Sequence, residues 1–258
     1  METIFDHPWV LGSILGIILA LALELGRCVA VWSRLHEEQN RRDQMSTIRD
    51  GLFVLVSLLL GFTLALASPR YAERRLLLVE EAVSIGTTYL RASTLPQTYR
   101  EHSLRRLREY VDARLDLDNA GLDGARFAEA TSRSKRIQEE LWTYSASLSQ
   151  TDRSAVTAVY ISSLNETIDL HEKRVAAMEN RIPQSVWLLI ISISVIAVFT
   201  RGLTLTARFW LTLILVPITI AIVVALIADL DTPSSGLIRL DQRAMQRLKV
   251  DLSTEPTH

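Results

Sequence analysis

The side chains best suited to chemistry do not form a known catalytic or metal-binding pattern. His171 and Glu172 match the start of a zinc-protease motif, but Val175 stands where the second histidine ligand would be needed. The five histidines of the chain share no metal-ligand spacing. We therefore expect no metal site, no cofactor and no enzymatic activity.

Two pairs of adjacent carboxylates, Glu80–Glu81 and Glu139–Glu140, have the residue types of a general acid and base. Adjacent residues of a helix point to different faces, so the pattern favours a solvated surface. The GxGxxG, P-loop, GxSxG and CxxC patterns are all absent from the sequence. No catalytic residue is predicted.

One ionisable pair has an unusual position. Glu24 and Arg27 interrupt the first apolar segment at i,i+3 spacing, which places them on one face of a helix. Charged groups inside a membrane are costly and normally face protein or water. Two interpretations stay open: the pair marks the membrane interface, with Arg27 reaching the headgroups, or it is a buried pair with a structural or conduction role.

The composition is that of a membrane protein with a charged middle. The 258 residues are 48% hydrophobic and 22% charged, with a mean hydropathy of +0.19. The net charge of -1 gives no basic footprint for nucleic acid, and the only cysteine, Cys28, cannot form an intrachain disulfide. The amino terminus lacks a basic n-region, so we expect the first apolar segment to be a retained anchor.

Four apolar segments predict four transmembrane helices, at 9–32, 52–67, 186–200 and 209–228. The second segment is short for a span, and only Pro69 separates it from an amphipathic pattern. We therefore expect the second span to continue as one long helix beyond the membrane. Pro183 suits the first turn of the third span, and Pro217 predicts a kink in the fourth.

Residues 68–185 predict a helical extramembrane domain. They hold 17 Lys+Arg and 17 Asp+Glu, and their apolar residues recur at helical spacing without strand-like alternation. The first such stretch comprises Leu76, Val79, Val83, Tyr89 and Leu90. The predicted fold class is an all-α membrane protein with four regions: the first two spans and their loop (1–67), the helical domain (68–185), the third and fourth spans (186–229), and a C-terminal tail (230–258).

The sidedness indicated by charge is ambiguous. Four spans place both termini and the helical domain on one side of the membrane. Arginines in the two opposite short loops favour a domain outside the cytoplasm, whereas those directly after the second and fourth spans favour the reverse. The loop residues are Arg34, Arg41, Arg42, Arg49, Arg201 and Arg208, and the others include Arg70, Arg74, Arg75, Arg239 and Arg243.

One face of the second span is a candidate pore lining. Phe53, Ser57, Leu60, Leu64 and Ala67 recur at alternating spacings of four and three. Such a stripe could form a hydrophobic constriction that gates by dewetting. The alternative is ordinary packing against the other spans, with a glycine at position 61 and the alanines allowing close approach.

Three segments carry a resemblance to a known family. The first is Phe62–Arg91, with Arg-Tyr-Ala-Glu-Arg-Arg at 70–75 and Leu95-Pro96 after it; the second is Arg181-Ile-Pro183 with Trp187; the third is Asp229-Leu-Asp-Thr-Pro233 with Gly236. The pattern resembles the bacterial bestrophin-like domain family of unassigned function over about 52–241, with a more distant relation to the bestrophin channels.

The resemblance implies a homo-oligomer in the lipid bilayer, a ring and in bestrophins a pentamer, whose second span lines a central passage for small inorganic ions. It also implies a multi-pass protein of the bacterial inner (plasma) membrane with a cytoplasmic helical domain. The residues it places at junctions or interfaces are Arg70, Tyr71, Glu73, Arg74, Glu80, Arg181, Pro183, Asp231, Pro233 and Gly236.

A second hypothesis is a membrane-anchored helical scaffold or signalling protein without conduction. In that case charged residues at the start of the helical domain would form salt bridges with a partner. These residues are Glu73, Arg74, Arg75, Glu80 and Glu81. A closed ring with an axial opening favours the channel, whereas a dimer or a sealed ring favours the scaffold.

Overall fold

The computed structural model of the chain describes residues 7–33, 39–121, 123–205, 210–232 and 236–254. Every regular element in these ranges is an α-helix, which confirms the all-α fold class. The helices are α1 (Pro8–Trp32), α2 (Gln39–Ala92), α3 (Gln97–Asn119), α4 (Gly124–Thr151), α5 (Ala155–Glu179), α6 (Gln184–Thr204), α7 (Trp210–Asp231) and α8 (Arg243–Thr254).

Four helical stretches of the described chain are long and apolar enough to cross a membrane, as predicted. They lie in α1, in the apolar parts of α2 and α6, and in α7. The long helix after the second span is also confirmed, because α2 runs for 54 residues and passes through Pro69 without ending. Pro217 likewise lies inside α7.

The chain divides into two compact units. The membrane unit contains α1, α2 through Tyr71, α6 and α7. The helical unit contains α2 from Ala72, then α3, α4, α5 and α8. The C-terminal helix α8 therefore packs with the helical unit, where Met245 and Leu252 are buried.

Close backbone contacts hold the membrane unit together. A Cβ at Gly26 would lie 2.2 Å from the Phe199 carbonyl oxygen, and one at Gly202 would lie 2.2 Å from the Leu23 carbonyl oxygen. Only glycine fits at these two points, where α1 crosses α6. Small residues at helix crossings allow the van der Waals packing that associates helices in a membrane.

The helical unit has a conventional apolar core and well-defined helix starts. Tyr89, Leu107, Leu141 and Tyr160 are among its buried side chains. Asp123 caps α4 by accepting hydrogen bonds from the backbone N–H groups of residues 125 and 126. The hydroxyl of Ser154 caps α5 in the same way. These capping bonds satisfy N–H groups that have no partner within the helix.

Candidate functional site

In the membrane unit, α2 packs one face against its own chain. Val56, Leu60, Thr63 and Ala67 recur at spacings of four, three and four, and each is at most 8% exposed. The hydroxyl of Thr63 donates to the Leu59 carbonyl oxygen at 2.7 Å, so this face carries no unpaired hydroxyl there. This face is the one that anchors α2 in the unit.

The opposite face of α2 is uncovered and apolar. At 3.6 residues per turn, Val54, Leu58 and Phe62 lie on the side away from the packed face. They are 68%, 50% and 61% exposed. Gly61 lies on the same side of α2 as Val54, and no described atom outside its own stretch of helix approaches within 4 Å of where its Cβ would be. The predicted close approach at Gly61 is therefore not present within this chain.

The stripe predicted as a pore lining divides between these environments. Leu60 and Ala67 are buried against the chain's own helices, and Phe53 is partly buried in the same cluster. Ser57 and Leu64 are exposed. The spacing alone does not show which side of a helix meets its neighbours, so the role of this stripe as a pore lining stays a prediction.

The intramembrane pair forms as its spacing predicted. Arg27 Nε donates to Glu24 Oε2 at 2.8 Å. Both side chains are partly buried, at 22% and 27% exposed. The two charges thus neutralise each other on one face of α1, which lowers the cost of holding them near hydrocarbon.

At the end of α7, Asp231 connects elements of the membrane unit. Its carboxylate accepts two hydrogen bonds from the Ile182 N–H, at 3.0 and 3.1 Å. Arg70 Nη1 lies 3.8 Å from Asp231 Oδ1. Asp231 therefore joins the end of α7 to the start of α6 and to α2, and Pro183 is the residue directly before α6.

Asp229 fixes the turn that follows α7. It is 1% exposed and accepts from the N–H groups of Leu237 and Ile238 at 3.1 to 3.2 Å. Gly236 has a φ of +97°, and a Cβ there would lie 1.5 Å from Asp229 Oδ1. The turn therefore requires glycine at this position. Pro233, predicted in the same motif, lies outside the described residues.

The charged residues at the start of the helical unit have different environments. Arg74 is 1% exposed and donates to the carbonyl oxygens of Ala177 and Asn180 at 2.9 and 2.8 Å. A guanidinium at the C-terminus of α5 also faces the negative end of the helix dipole. Among the other residues predicted at junctions or salt bridges, those exposed or partly exposed are Tyr71, Glu73, Arg75, Glu80 and Arg181.

Glu81 is the centre of a buried ionic network that the sequence did not reveal. Its carboxylate lies 2.8 Å from Arg114 Nε and 2.6 Å from Arg174 Nη1. Arg174 also pairs with Asp118. The side chains of Glu81, Arg114 and Arg174 are at most 1% exposed, so the expectation of a solvated face is wrong for Glu81.

The network extends to neutral groups. The Tyr110 hydroxyl lies 3.3 Å from Glu81 Oε1 and 3.1 Å from His171 Nδ1, and it accepts from Gln138 Nε2 at 2.9 Å. Burial raises the pKa of Tyr110, and the Glu81 carboxylate raises it further. Two carboxylates balance two guanidinium groups, and the side chains of all four residues are at most 6% exposed. The arrangement indicates a structural role.

Within the described residues, no group of three or more His, Cys, Asp and Glu side chains could hold a metal ion. Asp229 and Asp231, the acidic residues after the fourth span, have oxygens that accept backbone N–H groups of this chain. In this fold both carboxylates therefore hold nearby backbone segments in place.

Comparison with known proteins identifies the family. The model of the bestrophin-like domain matches residues 16–245 of the chain. A crystal structure of a bacterial bestrophin homologue from Klebsiella pneumoniae, a variant with a tryptophan-to-alanine substitution, superposes with a TM-score of 0.69 at 15% sequence identity. The match covers 93% of this chain and 97% of that chain. A comparison with curated proteins finds no match. Since the family model covers most of the sequence, this chain belongs to the bestrophin-like domain family.

Proposed function

We propose that this protein is the subunit of a homo-oligomeric ion channel in which α2 lines a central passage. The observation that carries the proposal is the uncovered apolar face of α2, formed by Val54, Leu58 and Phe62. The resemblance to a bacterial bestrophin homologue in fold supports it. The family match and the four apolar helices support the broader conclusion that the chain is a bestrophin-like membrane protein.

The apolar character of this face suits a gate rather than a binding site for ions. A ring of such side chains around an axis would form a hydrophobic constriction that opens and closes by wetting and dewetting. We place Phe62 and Leu58 at the constriction because their side chains are large and exposed. Ser57 and Leu64 flank this face, whereas Leu60 and Ala67 pack within the subunit.

Association of subunits is supported by a separate surface of the helical unit. Leu76, Val79, Val83 and Leu90 of α2 are 42% to 63% exposed. They follow helical spacing on a unit rich in charged residues, outside the apolar spans. Contiguous exposed apolar surface of this kind marks contacts with other proteins. We infer that a second copy of the chain covers it, and that Val83→Glu dissociates the oligomer.

The decisive experiment is reconstitution of the purified full-length oligomer in planar lipid bilayers. Phe62→Ala and Leu58→Ala are expected to change unit conductance or open probability, because they widen the constriction. Leu60→Ala is the matched control: the same helix loses a buried side chain, so we expect lower thermal stability and unchanged unit conductance.

Two results would overturn the channel. One is the absence of current from a correctly assembled oligomer in both potassium and chloride solutions. The other is a current that Phe62→Ala and Leu58→Ala leave unchanged. An image of the oligomer with a sealed or lipid-filled centre would instead support the scaffold hypothesis.

We further propose that the protein resides in the bacterial inner membrane with its helical unit in the cytoplasm.

A further inference from the structure

An apolar groove of about 420 Å³ lies between α1 and α7 of the membrane unit. Its floor is built from small residues: Gly12, Gly16 and Ala20 on α1, and Ala221 and Ala225 on α7. A Cβ at Gly12 would lie 2.7 Å from Ala225 Cβ, so the helices touch there. At Gly16 the corresponding distance to Ala221 Cβ is 3.4 Å.

The rim and lining of the groove offer nothing to a polar ligand. Isoleucines form the walls, and those at 17, 214, 218 and 222 are each at least 47% exposed. The Ser13 hydroxyl already donates to the Trp9 carbonyl oxygen at 2.8 Å. None of the described residues that line the groove is charged. Because both helices are membrane spans, the medium around this groove is hydrocarbon.

We propose that this groove binds one acyl chain of a bilayer phospholipid. The length supports this occupant. Trp9 to Ala20 covers about 16 Å at 1.5 Å per residue, close to half of a hydrocarbon core of about 30 Å. The groove therefore has the depth of one leaflet. Trp9 lies at one end of it and is 42% exposed, which suits an aromatic side chain at headgroup level.

The width of the groove favours an acyl chain over a second protein helix as its occupant. The volume of 420 Å³ divided by about 16 Å gives a section of about 26 Å², whereas a helix of about 10 Å diameter needs about 80 Å². The groove thus accepts a single extended hydrocarbon chain. Binding of the chain is favoured by van der Waals contact, since atoms that line an unfilled groove lack contact partners on one side.

The test is native mass spectrometry of the full-length protein with added phosphatidylcholine. The wild-type chain is expected to retain a phosphatidylcholine adduct after mild detergent is removed. Gly16→Leu places a side chain in the groove and is expected to abolish this adduct. Ser13→Leu fills the groove from an exposed position and serves where Gly16→Leu fails to fold. Ile196→Leu, on an exposed site of α6 outside the groove, is the matched control.

Adducts that persist in both groove variants, at unchanged subunit number and melting temperature, would refute the proposal. A change of subunit number without loss of the adduct would refute it too, because the groove would then hold another copy of the chain. Phosphatidylglycerol is expected to bind as well as phosphatidylcholine, since none of the described residues that line the groove is charged. A strong preference for the anionic lipid would locate the binding energy at a headgroup site and overturn the assignment.

Discussion

Replacing Glu81 with glutamine is expected to unbalance the buried ionic network of the helical unit. Glu81 faces two guanidinium groups, with Arg114 Nε at 2.8 Å and Arg174 Nη1 at 2.6 Å. Without its charge, only Asp118 remains to balance two buried cations. The variant therefore holds one uncompensated positive charge in a region that water does not reach.

The size of the effect follows from burial. Removing one partner of a buried ion pair typically costs about 3–5 kcal/mol, because the other charge stays desolvated and unpaired. For a chain of this size that loss corresponds to a fall in melting temperature on the order of 10 °C. The adjacent Glu80 is exposed, so Glu80→Gln is expected to change stability by less than about 0.5 kcal/mol.

A double-mutant cycle tests the explanation by charge balance. Arg114→Met alone leaves one uncompensated negative charge, whereas Glu81→Gln combined with Arg114→Met leaves Arg174 paired with Asp118. The double variant is therefore expected to lose less stability than the sum of the single variants, by about 1–3 kcal/mol. The measurement is thermal unfolding followed by the fluorescence of Trp142 on α4, with the other tryptophans replaced by phenylalanine. Additive effects, or equal effects of Glu81→Gln and Glu80→Gln, would refute the reasoning.

Three further predictions address other parts of the molecule. Gly236→Ala is expected to lower the free energy of unfolding by about 1–3 kcal/mol, because φ is +97° and a Cβ would overlap Asp229. Gly51 has open space around it, so Gly51→Ala is expected to leave the stability nearly unchanged. Equal melting temperatures of the two variants would contradict the backbone strain at Gly236. Burial, together with Arg105 and Arg106, lowers the pKa of His102 in the folded protein. As the pH drops below about 6.5, the unfolded chain therefore binds a proton at His102 before the folded chain does, and the stability of the fold decreases. His102→Phe is expected to reduce this decrease, measured as melting temperature from neutral to acidic pH. In a background with Cys28 replaced by serine, Ser132→Cys on α4 should react with an impermeant maleimide only after cells are opened, and labelling of intact cells would reverse the proposed orientation.

The architecture could be predicted because its signals are local. The length of each apolar segment defined the four spans, and the absence of a strong break after Pro69 predicted the long helix. The pairing of Glu24 with Arg27 followed from i,i+3 spacing alone. Each of these inferences needs only residues close together in the chain.

The environment of individual side chains could not be predicted in the same way. Glu81 meets Arg114 and Arg174, which are 33 and 93 residues away in sequence. A signal was present: Arg74, Leu78, Glu81 and Ile85 recur at helical spacing, and all are buried. The apolar residues Leu76, Val79, Val83 and Leu90 at comparable spacing suggested instead that the opposite face is the buried one. Only the packing partners determine which of two such faces is buried.

The distribution of charge in the Glu81 network has a consequence for the order of assembly. α3 brings one cation and one anion, Arg114 and Asp118, whereas α2 brings only Glu81 and α5 only Arg174. α3 packed with either of the other two helices alone would bury a net charge, and a one-residue slip of any helix would turn its charged group away. The three helices therefore gain their stability together, and the network selects one register by penalising incomplete intermediates.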